Sequence, residues 1–235
     1  RRYESLAALQ TASLPYDVIL AGSDQIWNPK IFPDGRLDPV FFGAFSDRRK
    51  IAYAPSFGIP HIPPGMEAEL RKYLSQFSHL SVRERQGQVI VKEVAGLDVP
   101  AVLDPTLLLT AQQWSAAASD RPSSAPGSPA APGGYILCYC ISKPGALSPY
   151  LQELARRTQL PIVQLCGIRQ KVHPRARCVL SAGPAEFLEL FSHAAFVLTN
   201  SFHGTVFAAQ FQVPFFAAVS PSELADPGSS RTFSL

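Results

Sequence analysis

Residues 196–211, FVLTNSFHGTVFAAQF, run from a short apolar stretch through the polar turn Asn200, Ser201, Phe202, His203 and Gly204 into a second apolar stretch with helical spacing. A buried strand that feeds straight into a buried helix is half of a parallel βαβ unit, because parallel neighbours need a crossover connection and a helix supplies it. The flanking sequence repeats the pattern. Strands are expected at 135–141, 162–165, 196–199 and 215–218, and helices at 148–158, 185–193 and 204–210. Upstream, strands are expected at 17–21, 50–54, 80–82 and 101–103. A helix is expected at 65–77, where Met66, Leu70, Tyr73, Leu74 and Phe77 share one face, and another at 84–95. The fold class that follows is α/β, with two Rossmann-like lobes.

The 235 residues include 22 prolines, and several of these fall in SDRPSSAPGSPAAPGG at 119–134. Such a segment has no apolar face to bury and is expected to act as a linker. It divides the chain into a front lobe at 1–118 and a back lobe at 135–235. Hydrophobic residues make up 46% of the chain, enough for a core in each lobe, and no run approaches the ~18 apolar residues of a membrane span. The net charge of +3 is scattered, which excludes the clustered basic face of a nucleic-acid binder. Cys138 and Cys140 alternate in a strand, so both thiols point to one face. They read as core thiols, with a zinc site or a disulfide as the alternatives; the first reading favours a reducing compartment, and a cytoplasmic location is expected.

Ligands of such sheets bind beyond the carboxyl ends of the strands. In TNSFHG the first turn of the helix offers amides and a positive dipole end. Ser201 can donate a hydroxyl, Gly204 permits close backbone approach, Thr205 follows, and His203 can add a cation or a proton. The alternative is that Asn200 or Ser201 is only a helix cap. In GSDQIWN, Asp24 projects a carboxylate after the first strand and Trp27 can form a platform for a sugar face, with Asn28 beside it; Asp24 could equally be a cap. In SVRE, Arg83 is suited to bidentate binding of a carboxylate or phosphate, or pairs with Glu84. Asp104, before Pro105, reads as a turn residue or as a cleft residue. The signatures GxGxxG, GxSxG, HExxH, DxD and the P-loop are absent from the sequence. No metal site and no resident cofactor are expected.

Taken in order, GSDQIWNP, IAYAPSFG, SVRE, VLDPTLLL and TNSFHGTVFA resemble the polysaccharide pyruvyl transferase family, over about residues 16–214. The resemblance implies a GT-B-like pair of lobes and transfer of pyruvate from phosphoenolpyruvate to a glycan or lipid-linked sugar as a ketal. It matches Arg83 and His203 to donor-binding positions and Asp24 to an acidic residue after an early strand. His203 is then the expected acid and phosphate anchor and Asp24 the base, or the reverse, with Ser201, Gly204 and Thr205 around the donor and Trp27 and Asn28 toward the acceptor. Family members begin with a further strand and a glycine-rich loop, so the front lobe is expected to be incomplete at its N-terminus. The implied partners are phosphoenolpyruvate and a saccharide acceptor that brings the protein to the membrane periphery. Two other classes fit the same pattern. One is a GT-B-type glycosyltransferase using Glu186 and Glu189 for a nucleotide-sugar ribose; the other is a non-catalytic module that binds anions or sugars.

Overall fold

A computed structural model describes residues 2–119, 134–141, 147–166 and 171–218. They divide into two compact units, one up to Pro105 and one from Thr106 onward. The linker expected at 119–134 lies almost wholly outside the described residues.

In the first unit, α1 (Leu6–Gln10) precedes a three-stranded parallel sheet of β1 (Val18–Ala21), β2 (Arg49–Ala52) and β3 (His79–Leu80), in that order across the sheet. The crossover between β2 and β3 is α2 (Glu67–Leu74), and α3 (Arg85–Ala95) follows β3. Leu70 and Leu74 from α2, and Ile90, Val91 and Val94 from α3, are buried, whereas Val89, expected on the same face of α3, is exposed. The strand expected at 101–103 is reduced to a single bridge between Ala101 and Val82. Gly87 lets α3 lie close to the sheet, since a Cβ there would sit 3.1 Å from the Val82 Cβ.

The second unit carries β4 (Ile136–Tyr139), β5 (Ile162–Leu165), β6 (Arg177–Val179), β7 (Phe196–Thr199) and β8 (Phe215–Ala217). All pairs are parallel and the spatial order is β6-β5-β4-β7-β8. Strands β4 and β5 are connected through α5 (Ser148–Thr158), β6 and β7 through α6 (Pro184–Ser192), and β7 and β8 through α7 (Phe202–Gln210). This is the doubly wound order of a Rossmann fold, whose chain reverses direction across the sheet between β4 and β7. The α/β class with parallel sheets holds for both units. Strand β6 was not legible in the sequence, because Arg177, Cys178 and Val179 offer no apolar run and pair only at the sheet edge.

The boundary between units falls ahead of the expected 118. Helix α4 (Ala111–Ser119) packs on α6, and Trp114 and Ala118 belong to the same apolar cluster as Tyr135, Phe191 and Phe207. Burial of that helical face therefore assigns 106–119 to the second unit. The cysteines are free thiols, and Cys138 and Cys140 share a face with their sulfurs 3.7 Å apart. The contact with Cys140, reinforced by burial, pushes the Cys138 thiol well above its ordinary range.

Candidate functional site

In the first unit the polar strand ends gather around Arg83. Its side chain is 4% exposed, and its Nη1 donates to Asp104 Oδ2 at 2.8 Å, with Asp104 itself 1% exposed. Ser23 Oγ donates to the same carboxylate oxygen at 2.6 Å. On the other side, Arg83 Nη2 lies 3.7 Å from Asp24 Oδ1, and the Asp24 side chain is 56% exposed. A buried guanidinium thus stands between one buried and one accessible carboxylate. The buried pair fixes the guanidinium plane; the accessible carboxylate is the one able to meet a ligand. Asp104 is the residue that sequence alone left between a turn and a cleft role.

Arg83 and Glu84 do not pair with each other. Glu84 is extended, with φ −124° and ψ 155°, so successive side chains leave the backbone in opposite directions. Arg83 points to Asp104 and Asp24, while Glu84 points to the loop after β2. There Glu84 Oε1 accepts from Ser56 Oγ at 3.1 Å, Phe57 N at 2.9 Å and Gly58 N at 3.2 Å. Two non-glycine residues in this region have left-handed backbones, Asp24 at φ 77° and Ala54 at φ 55°. Conformations of this kind persist only where surrounding contacts over-determine them. For Ala54 the contact is Ser81 Oγ, which accepts from Ala54 N at 3.2 Å.

Trp27 and Asn28 do not face an acceptor. Trp27 is fully buried and stacked on Phe42 with centroids 5.0 Å apart, and its Nε1 donates to the Phe41 carbonyl oxygen at 3.2 Å. Its ring is core, because the aromatic side chains of Phe42, Phe57 and Phe77 surround it. Asn28 is 4% exposed and caps the 3-10 turn Pro29–Ile31 by accepting from Lys30 N at 2.9 Å.

In the second unit the turn after β7 lies beside the β4/β7 reversal, the place where ligands enter open α/β sheets. Asn200 Oδ1 accepts from Ile141 N at 2.9 Å, and Thr199 Oγ1 donates to Tyr139 O at 2.7 Å, so side chains tie the two strand ends together. Ser201 acts as the N-cap of α7: its Oγ accepts from Gly204 N at 3.3 Å. The helix thus begins at Phe202, two residues earlier than the spacing predicts. The cap uses the Ser201 oxygen as an acceptor and the Gly204 amide as a donor, and leaves the Ser201 O–H to donate elsewhere. Thr205 is buried and its Oγ1 donates to Ser201 O at 3.1 Å, which spends the hydroxyl inside the helix. Close approach at Gly204 serves packing: a Cβ would run into Thr199 Oγ1 and lie 3.0 Å from the Tyr139 ring. His203 is half-buried in the first turn of α7, with its ring edge-on to Phe202 at 5.2 Å. Among the described residues no group of three or more His, Cys, Asp or Glu side chains is placed to hold a metal ion. No described helix is long and apolar enough to cross a membrane.

Parallel sheets with polar turns at their carboxyl ends define an α/β protein of Rossmann type. Residues 1–223 match the polysaccharide pyruvyl transferase family, and the chain belongs to that family. No curated protein matches it. Among solved structures it is similar to a Listeria monocytogenes protein assigned as a UDP-N-acetylglucosamine 2-epimerase, with a TM-score of 0.48 and 12% identity. The match covers 86% of this chain and 56% of that one, so the chain spans little more than half of the other's length.

Proposed function

We propose that the protein transfers the pyruvyl group of phosphoenolpyruvate to two hydroxyls of a glycan or lipid-linked sugar, forming a ketal and releasing phosphate. Family membership supports a transferase acting toward polysaccharide. The observation that carries the residue assignment is the accessible Asp24 carboxylate held beside a buried Arg83–Asp104 pair at the carboxyl end of a parallel sheet.

Ketal formation needs a proton on the methylene carbon of phosphoenolpyruvate, attack of one sugar hydroxyl on the resulting cationic carbon, and closure by a second hydroxyl as phosphate departs. In the first unit, Asp24 takes the hydroxyl proton. Asp104 and Asp24 together outweigh the single guanidinium, so Arg83 serves the donor chiefly through the geometry it imposes on Asp24. In the second unit, His203 supplies the proton and, with the N-terminal end of α7, the positive potential for phosphate. The acid and base roles of His203 and Asp24 can also be exchanged without altering the balance of the reaction. The acceptor is a cell-surface polysaccharide or its lipid-linked precursor, and the reaction is placed in the cytoplasm, at the membrane only through the acceptor.

A donor screen by thermal shift tests this. Phosphoenolpyruvate at about 100 times its Kd should stabilise the fold by about 2.7 kcal/mol, with no shift from nucleotide sugars. Mass spectrometry with a panel of aryl hexosides should then detect a pyruvylated product together with free phosphate. Stabilisation by a nucleotide sugar alone would overturn the proposal in favour of glycosyl transfer.

A further inference from the structure

We infer that Glu84 is a positioning residue that holds Asp24 in its strained conformation through the loop after β2; the catalytic meaning of Asp24 rests on the function proposed above. Glu84 is 4% exposed, and one of its oxygens gathers three donors from residues 56–58. Its other oxygen is buried without a hydrogen-bond partner among the described residues. Bonds from amides to a carboxylate are about twice as strong as neutral ones, so this loop is gripped at one point by a charge.

The grip is passed on by the backbone. Ser56 N donates to Asp24 O at 2.8 Å, and Ser56 O accepts from Trp27 N at 3.3 Å. Asp24 and Pro55 form a parallel bridge, and Pro55 O accepts from Arg83 N at 3.2 Å. Residues 55 and 56 therefore touch Asp24 on one side and Arg83 on the other, while Glu84 fixes the segment that follows. A left-handed Asp24 is strained and is held by these contacts, together with its own Oδ1, which accepts from Gln25 N at 2.8 Å. If Glu84 lets go, the loop can relax, the Ser56 to Asp24 bond is the first to lengthen, and the Asp24 carboxylate loses its station 3.7 Å from Arg83 Nη2. Because Arg83 and Glu84 are adjacent and point oppositely, one dipeptide orients the accessible carboxylate from both sides.

Amide hydrogen exchange on the full chain, followed by NMR, reads this directly. In Glu84→Ala the amides of Ser56 and Trp27 should exchange at least about tenfold faster, while those of Ile90 and Val91 in α3 keep their wild-type rates. Glu84→Gln retains an acceptor oxygen for the three donors and should recover most of the protection. Should Glu84→Ala fail to fold, Glu84→Asp, one methylene too short to reach the loop, is read in the same way. Unchanged exchange at Ser56 and Trp27, or an equal rise throughout the unit, overturns the inference. Calorimetry with phosphoenolpyruvate on the same variants separates the two proposals: a wild-type protein that ignores this ligand overturns the functional assignment, whereas the exchange rates judge the clamp by themselves.

Discussion

Arg83 Nη1 and Asp104 Oδ2 meet at 2.8 Å with both side chains at most 4% exposed, and they join the third residue after β3 to the chain 21 positions later. Ions taken this far out of water are held only by each other and by their hydrogen bonds, so removal of one partner is costly. Asp104→Ala should destabilise the protein by about 3–5 kcal/mol. Ser23→Ala, which deletes one donor to the same carboxylate, should cost about 1 kcal/mol. Urea unfolding curves measure both; similar midpoints for the two variants would contradict this ranking.

His203 is half-buried at the start of α7, with its ring edge-on to Phe202 at 5.2 Å. His203→Ala should lower pyruvyl transfer by about 100-fold or more with a loss of stability of only about 1 kcal/mol. Product formation and thermal unfolding are to be measured on the same sample. Near-normal turnover would remove His203 from the mechanism.

Gly204 is constrained by what surrounds it. Gly204→Ala drives a methyl group into Thr199 Oγ1 and the Tyr139 ring, both fixed by the β4–β7 ladder. Overpacking of this kind should cost about 1–3 kcal/mol, visible as a lower unfolding midpoint. A neutral Gly204→Ala would mean that α7 can shift away from the sheet.

Trp27 should behave as a core residue and not as a sugar platform. Trp27→Ala should lose about 3–5 kcal/mol, whereas Trp27→Phe keeps an aromatic ring over Phe42 and should lose less. Acceptor affinity measured on folded Trp27→Phe is expected to equal that of the wild type.

Tyr135 gives the alkaline limit of stability a defined sign. Burial, with a smaller contribution from Glu189, pushes its phenol from 10.0 up to about 12, and its hydroxyl donates to Leu190 O at 2.8 Å. As pH rises through 10 the unfolded chain loses this proton while the folded chain keeps it. The contribution is therefore complete below pH 10 and falls between pH 10 and about 12. Tyr73, also raised to about 12, acts in the same direction. Tyr135→Phe should cost about 1 kcal/mol at neutral pH and flatten the decline above pH 10 without abolishing it. Chemical denaturation across that range measures the slope, and an unchanged slope would exclude Tyr135 as a cause.

The α/β class and the strands 162–165 and 196–199, at both of their ends, were legible in the sequence. Each rests on local periodicity, which survives in one dimension: apolar runs of strand length, helical stripes such as Leu70 and Leu74, and turns rich in polar residues. Five blocks in a fixed order were likewise enough for the family, now matched over residues 1–223.

What required the tertiary structure was the partner of each group. Nothing local in VLDPT tells that Asp104 closes on Arg83, or in SVRE that Glu84 turns away to hold residues 56–58. Trp27 and Asn28 look accessible in GSDQIWN until Phe42, Phe57 and Phe77 close over the indole. Strand β6 needed the edge of β5, and α4 needed the apolar face of α6, to declare where they belong. Periodicity determines which side of an element is buried; which distant element covers it, and therefore which polar side chains are spent on structure and which remain for a ligand, is decided only when the chain closes on itself.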